Sequence, residues 1–301
     1  MPRRSRELKM IFEPKIEGEI DAKELFLGKG VVVEKGVLIT GKIGAANKVV
    51  LGDFSFIGQQ TRIMVPEFRL GDYSKVHCFS FLHGEKALQI GRNCWIGENT
   101  ILDSMEGLDI DDNVGIGAHS QFWTHIQFGD ILEGCRFFSR KYMYVGKDAW
   151  FVGHCIVSPI HVGERSMALA GSVVTRDMIP NHIYSGVPAR DVTDKLGFQF
   201  KSPSVEQKAS KLQEIIDAFV EKHPEHNGQL IVISSPNGRK EGVCWFDVSE
   251  RTYNKTYSQA EVFFLKENIP LIKFVPFNEP PFVKRQQETT TSRKNLHGGI
   301  W

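Results

Sequence analysis

The chain has 301 residues with a formal net charge of +1, and apolar residues make up 41% of it. That length allows one large domain plus a small one. Near-neutral charge gives no reason to expect nucleic acid or a membrane surface as the main partner. The basic start, MPRRSRELKM, is not followed by an apolar stretch, so no signal peptide is expected, and no segment approaches the length of a membrane span. The five cysteines form no CxxC pair and are odd in number. They read as reduced thiols, which points to the cytoplasm.

A six-residue period dominates the first two thirds. "LGDFSFIGQQTRI", "IGRNCWIGENTIL" and "IDDNVGIGAHSQF" each place an apolar residue before a small one at that step. The apolar positions group into triplets: Val31/Val37/Ile43, Leu51/Ile57/Ile63, Leu70/Val76/Leu82, Ile90/Ile96/Leu102, Ile110/Ile116/Phe122, Val145/Phe151/Val157 and Val162/Ala168/Val174. Neither a helix nor an alternating strand has this period. Three short strands per coil, each turning one residue inward, do. Coils of this kind bury a continuous aliphatic column, and each lends its edge to the next. The small residue after each apolar one suits a tight corner.

The extra residues between triplets all follow the third hexad, so insertions gather along one corner. The longest separates Phe122 from Val145 and contains "WTHIQFGDILEGCRFFSRKYMY". Long loops on a rigid scaffold tend to carry function. His125 stands at the root of this one. Imidazole titrates near neutrality and can take a proton from a poor hydroxyl nucleophile. One coil earlier, "LDSMEGLD" holds Asp103, which stacking places close beneath His125, where it can bind an acceptor hydroxyl or orient the imidazole. Trp123 and Trp150 are candidates for stacking on a flat ligand face. Arg136, Phe137, Phe138 and Tyr142 lie in the long loop and are placed to close over a cleft.

These hexads, the Thr-His at the loop root, "AWFVGHCIVSP" and the closing "AGSVVTRDMIPNHIYSGVPAR" resemble the hexapeptide-repeat acyltransferases, nearest to the galactoside and maltose acetyltransferase type. The likeness is specific over residues 90–192 and a pattern only before that. It implies a mainly β fold, a left-handed parallel β-helix, assembled as a homotrimer with active sites between subunits. It also implies acetyl-CoA as acyl donor, no metal, and His125 as general base. The acceptor by analogy is a sugar hydroxyl on a glycan precursor or nucleotide-linked sugar; an amino-sugar nitrogen is the variant. Thr175, Arg176 and Arg190 match positions that contact the donor, and Gly153 matches the one whose N–H serves the acetyl carbonyl; the small Ala170 and the Trp150 indole are expected to line the donor as well. Arg176 stands where lysine is usual. The asparagine of the related enzymes falls at Gly97, so either Glu98 or Asn99 takes its place at the acceptor or the acceptor differs.

Two other readings compete. The γ-class carbonic anhydrases share the scaffold and bind zinc through three histidines, for which His83, His119 and His125 are the counterparts. In "GAHSQFWTH" the last two are one residue too far apart, which turns one side chain to the opposite face. A catalytically silent trimeric scaffold is the third reading.

The hexads give a first domain over residues 1–201. Beyond it, "SVEQKASKLQEIIDAFVEKH" carries Leu212, Ile215, Ile216, Phe219 and Val220 at helical spacing. "GQLIVISS", "VCWFDVS" and "PLIKFVPF" read as strands, and "SQAEVFFLKEN" as a second helix. These elements make a small α+β domain over residues 202–282. The polar stretch from 283 to 301 reads as a disordered tail.

Overall fold

The computed structural model describes residues 12–284. Residues 1–11, and all of the expected disordered tail except residues 283 and 284, lie outside the described residues. The chain divides into two units at residues 200 and 281.

The first unit is a left-handed parallel β-helix. Its coils stack into three parallel sheets, here called faces one, two and three in the order each coil visits them. They hold seven, ten and eight strands among the described residues. On face one the inward column runs Leu51, Leu70, Ile90, Ile110, Val145 and Val162. On face two it runs Ile57, Val76, Ile96, Ile116, Phe151 and Ala168. On face three it runs Ile63, Leu82, Leu102, Phe122, Val157 and Val174. All eighteen are buried to within 1% of complete. Six of the seven triplets read from the sequence therefore lie in register. Burial of an aliphatic side chain of this size contributes about 1.5–3 kcal/mol, so this column is the main source of the unit's stability.

The first triplet is corrected. Val33 and Ile39 occupy the columns with Ile57 and Ile63, while Ile43 is 94% exposed. The cause is a second inward position two residues before each column residue. Elsewhere it is filled mostly by small residues such as Ser55, Ser74, Thr61 and Ser80, all buried. In this coil it holds Val31 and Val37, so a period of six fits two rows equally well. The helix also begins earlier than the hexads, with strands at Lys15–Ile16, Glu19–Ile20 and Ala22–Leu27.

Corner geometry explains the small residues. A Cβ on Gly117 would stand 2.0 Å from the carbonyl oxygen of Val152 in the next coil. One residue per corner takes a left-handed conformation: Phe54, Tyr73, Asn93, Asn113 and Asp148 between faces one and two, and Gln60, Phe79, Asn99, His119 and His154 between faces two and three. The left-handed region is costly for most residues but mild for Asn and Asp. Asn93 donates to Asn113 at 3.0 Å and Asn113 to Asp148 at 2.9 Å, so part of that cost is offset by a ladder along the corner.

The second unit is a four-stranded sheet with two helices. The first helix, Val205–Lys222, begins at a capping box: Ser204 Oγ accepts from the Gln207 N–H and Gln207 Oε1 from the Ser204 N–H. It buries Leu212, Ile216 and Phe219, while the second helix, Gln259–Asn268, buries Val262, Phe264 and Leu265. Leu230–Ile233, Cys244–Asp247 and Val275–Pro276 form strands within the expected stretches; Thr252–Tyr253 is an additional strand. Glu261 is fully buried, and burial pushes its carboxyl above the usual range even though Thr256 and Tyr257 donate to it.

Candidate functional site

The corner between faces three and one carries the insertions, and it is built from consecutive coils. Met64, His83 and Asp103 follow column residues Ile63, Leu82 and Leu102 and stand on successive rungs. Trp123 follows Phe122 on the next rung. The long insertion is an ordered hairpin: His125–Gln127 pairs antiparallel with Phe138–Arg140, His125 opposite Arg140. A stretch expected as a loop thus holds His125 on a strand, where its direction is set by the hairpin ladder.

Asp103 is completely buried. Its Oδ2 accepts from the Thr124 N–H at 2.8 Å and the Thr124 hydroxyl at 2.9 Å, and lies 2.8 Å from His125 Nδ1. Its Oδ1 accepts from the Met105 N–H at 3.2 Å. A carboxylate so enclosed holds Nδ1 as the protonated nitrogen and leaves Nε2 as the acceptor. Of the two roles considered for Asp103, the geometry suits the second: the side chain is fully buried and faces the imidazole. Glu106 pairs with Arg140 across the hairpin, and its N–H donates to Thr124 Oγ1 at 3.2 Å. Glu106 and Arg140 were not singled out in the sequence; Thr124 was marked only as half of the Thr-His pair, and its bonds to Asp103 emerge once the coils stack.

His83 shares this corner. Burial lowers its affinity for a proton, with His125 and Lys42 acting in the same direction and Asp103 against. Its ring stacks on Phe81 at 4.6 Å between centroids and stands 6.5 Å from Trp123; Trp123 is 6.4 Å from His125. His119 is elsewhere, at the corner between faces two and three, stacked on His154 at 4.8 Å. The three imidazoles considered as zinc ligands do not converge, and among the described residues no group of three His, Cys, Asp or Glu side chains is placed to hold a metal.

The remaining candidates fall into two sets. Thr175 and Arg176 follow Val174 and so share the corner of His125 and Trp123. Gly153, Ala170, Glu98 and Asn99 lie at the corner between faces two and three, where the Gly171 N–H donates to the Gly153 carbonyl at 3.0 Å. The Gly153 N–H itself donates to no group among the described residues. Trp150 lies on face two, its indole over Gly115, and Arg190 on the edge hairpin of that face, opposite Ser185. Within one chain, face three separates these sets, so Glu98 and Asn99 are not neighbours of His125. Gly97 cannot carry the asparagine of the related enzymes, because its Cβ would meet the Ala118 nitrogen at 2.4 Å. Glu98 instead stands 3.6 Å from His77 Nδ1. Tyr142 does not reach outward; its hydroxyl donates to Asp109 on face one at 2.7 Å. Phe137 and Phe138 are exposed.

All five cysteines are free, three of them buried. Among the described residues no helix is long and apolar enough to cross a membrane.

No protein-family model matches the chain. In sequence it is similar to the galactoside O-acetyltransferase of Escherichia coli, 30% identical over 111 residues that make up 36% of this chain and 54% of that protein. It is also similar to a putative serine acetyltransferase of Schizosaccharomyces pombe, 28% identical over 98 residues, 32% of this chain and 35% of that one. Among solved structures it aligns with AntD, an N-acyltransferase from Bacillus cereus crystallised with dTDP and coenzyme A, at 18% identity and a TM-score of 0.35, covering 66% of this chain and 91% of that one. The matched segments span about a third to a half of those two curated relatives. The resemblance to acyltransferases read from the motifs is thus carried by sequence similarity to acetyltransferases.

Proposed function

We propose that this protein is an acetyl-CoA-dependent acyltransferase in which His125 is the general base. The observation that carries the proposal is the buried Asp103 carboxylate 2.8 Å from His125 Nδ1. It supports an imidazole whose free Nε2 takes the proton of an acceptor hydroxyl. The acceptor oxygen then attacks the thioester carbonyl carbon and a C–O bond forms. The tetrahedral adduct collapses, the C–S bond breaks, and the departing thiolate takes the proton back from the imidazolium. Asp103 is the counter-charge to that imidazolium. A fixed donor at the developing oxyanion is the other requirement, and the unpartnered Gly153 N–H suits it.

The donor side is argued from shape. Ala170 and Gly171 leave their own rung of the corner between faces two and three without bulky side chains, along which a pantetheine arm can lie. Arg176 and Arg190 are exposed and suit its phosphates. The two residue sets on separate corners meet if the His125 corner of one copy faces the Gly153 corner of another, which is the homotrimer we propose. The exposed Phe128, Ile131 and Leu132 at the hairpin tip support such an assembly, since apolar surface of this kind marks a contact. The acceptor we propose is a sugar hydroxyl of a glycan precursor or nucleotide-linked sugar, in the cytoplasm. Calorimetric titration of acetyl-CoA into the protein tests the reading: saturable binding at one site per chain is expected. Absence of binding at about 1 mM donor, where the corresponding free energy is only about −4 kcal/mol, would remove the function and leave the fold.

A further inference from the structure

The surface beside His125 has a composition that the transfer reaction does not use. Two outward rows run up face three at its insertion corner. One is Phe81, Ile101 and Gln121, in register on successive rungs. The other is His83 and Trp123, with the buried Asp103 on the rung between them. Rungs of about 4.8 Å and alternate residues about 6.7 Å apart give these rows a footprint of roughly 10 Å by 7 Å, the size of one six-membered sugar ring.

The chemistry of the patch is specific. Phe81 is 38% exposed and offers an apolar face. The Trp123 indole N–H donates to Gln121 Oε1 at 3.3 Å, which holds the ring 6.5 Å from that of His83 and 6.4 Å from that of His125. His83 is half-buried, and neither of its ring nitrogens has a hydrogen-bond partner among the described residues. Burial favours its neutral form, so it has one donor and one acceptor to give. The nearby cations are engaged elsewhere: Lys42 with Glu85 at 2.6 Å and Arg140 with Glu106. The patch therefore has stacking surface and a neutral donor–acceptor pair, and its charges are spent.

We propose that Phe81, His83 and Trp123 form the acceptor subsite, which takes a single uncharged pyranose ring. The ring's C–H face lies on the aromatic side chains and one hydroxyl bonds to His83, which presents the neighbouring hydroxyl to His125. His83 is then a positioning residue. This inference rests on the transferase reading, and it adds residues and a substrate class to it.

The test compares wild type, His83→Leu and His83→Gln in thiol release from acetyl-CoA, with methyl pyranosides of glucose, galactose and mannose as probes. The expected result is a kcat/KM for the pyranoside lowered about tenfold in His83→Leu, with the KM for acetyl-CoA within about threefold of wild type. His83→Gln, which keeps a donor and an acceptor, is expected to recover most of the loss. In wild-type protein with ¹³C-labelled histidine, the same pyranosides are expected to move the His83 and His125 ring resonances, which decides the matter should His83→Leu fail to fold. Pyranosides acetylated with unchanged kcat/KM in His83→Leu overturn the subsite. So do ring resonances that no pyranoside moves, and so does transfer confined to acyclic acceptors such as serine or glycerol. Failure of the transferase reading looks different: no acetyl-CoA binding and no thiol release with any acceptor, which removes the inference with it.

Discussion

Replacing Asp103 by asparagine isolates the contribution of the buried carboxylate. The substitution preserves volume, and one oxygen remains to accept from Thr124 and from His125 Nδ1. Two things change. The amide nitrogen must face the Met105 N–H, which now has no acceptor at 3.2 Å. An imidazolium formed at His125 also loses its negative partner. A hydrogen bond to a charged group contributes about 1.5–3 kcal/mol, so kcat should fall about 10- to 150-fold. The opposed donors should cost about 1–3 kcal/mol of stability. Steady-state thiol release gives kcat and the KM for acetyl-CoA, and denaturant titration gives the stability. The reasoning predicts loss in kcat with the donor KM preserved, since no donor candidate contacts Asp103. An Asp103→Asn protein with kcat within about threefold of wild type would refute the assigned pairing.

Other expectations follow from packing and charge. Phe151→Ala removes a fully buried ring that meets Phe122 edge-on at 4.7 Å and should destabilise the first unit by about 3–5 kcal/mol, read from denaturant unfolding. Gly97→Asn should not restore a missing catalytic group; forcing a Cβ against Ala118 should cost about 1–3 kcal/mol, visible as a lower Tm. Burial lowers the proton affinity of both His77 and His83 in the folded chain. Their stabilisation is thus present above the unfolded value near 6.5 and lost as pH falls below it, because the unfolded chain then binds more protons. Tm should fall between pH 7 and pH 5, and a His77→Gln, His83→Gln protein should show a flatter profile; an unchanged slope counts against the assignment.

The β-helix was readable because each coil repeats one constraint: an aliphatic residue inward and a small residue at the corner. That failed only where Val31 and Val37 made the second inward row as apolar as the first. His125 stood out because a long insertion begins beside a column residue. Its partner Asp103 lies 22 positions earlier and was reached by stacking one coil on the next, which left open whether it orients the imidazole or binds an acceptor. The hairpin also escaped: "FFSRKYMY" pairs with "HIQF" across a long turn, and neither carries the hexad signature. Glu98 and Asn99 were placed by analogy with a position that here is glycine, and the corner geometry puts them one face away. In the second unit, the capping box and helical spacing marked the helices, but the two-residue strand Thr252–Tyr253 is too short to show a period.

The most direct test of the account is transfer of a ¹³C-acetyl group from acetyl-CoA to a methyl pyranoside, followed by mass spectrometry in wild type and His125→Ala, with donor affinity measured on both. The account predicts a labelled pyranoside ester from wild type. It predicts a rate about 10²- to 10⁴-fold lower from His125→Ala, the range a positioned base supplies, with donor affinity unchanged. Equal transfer by the two proteins would contradict the assignment of His125 as the base.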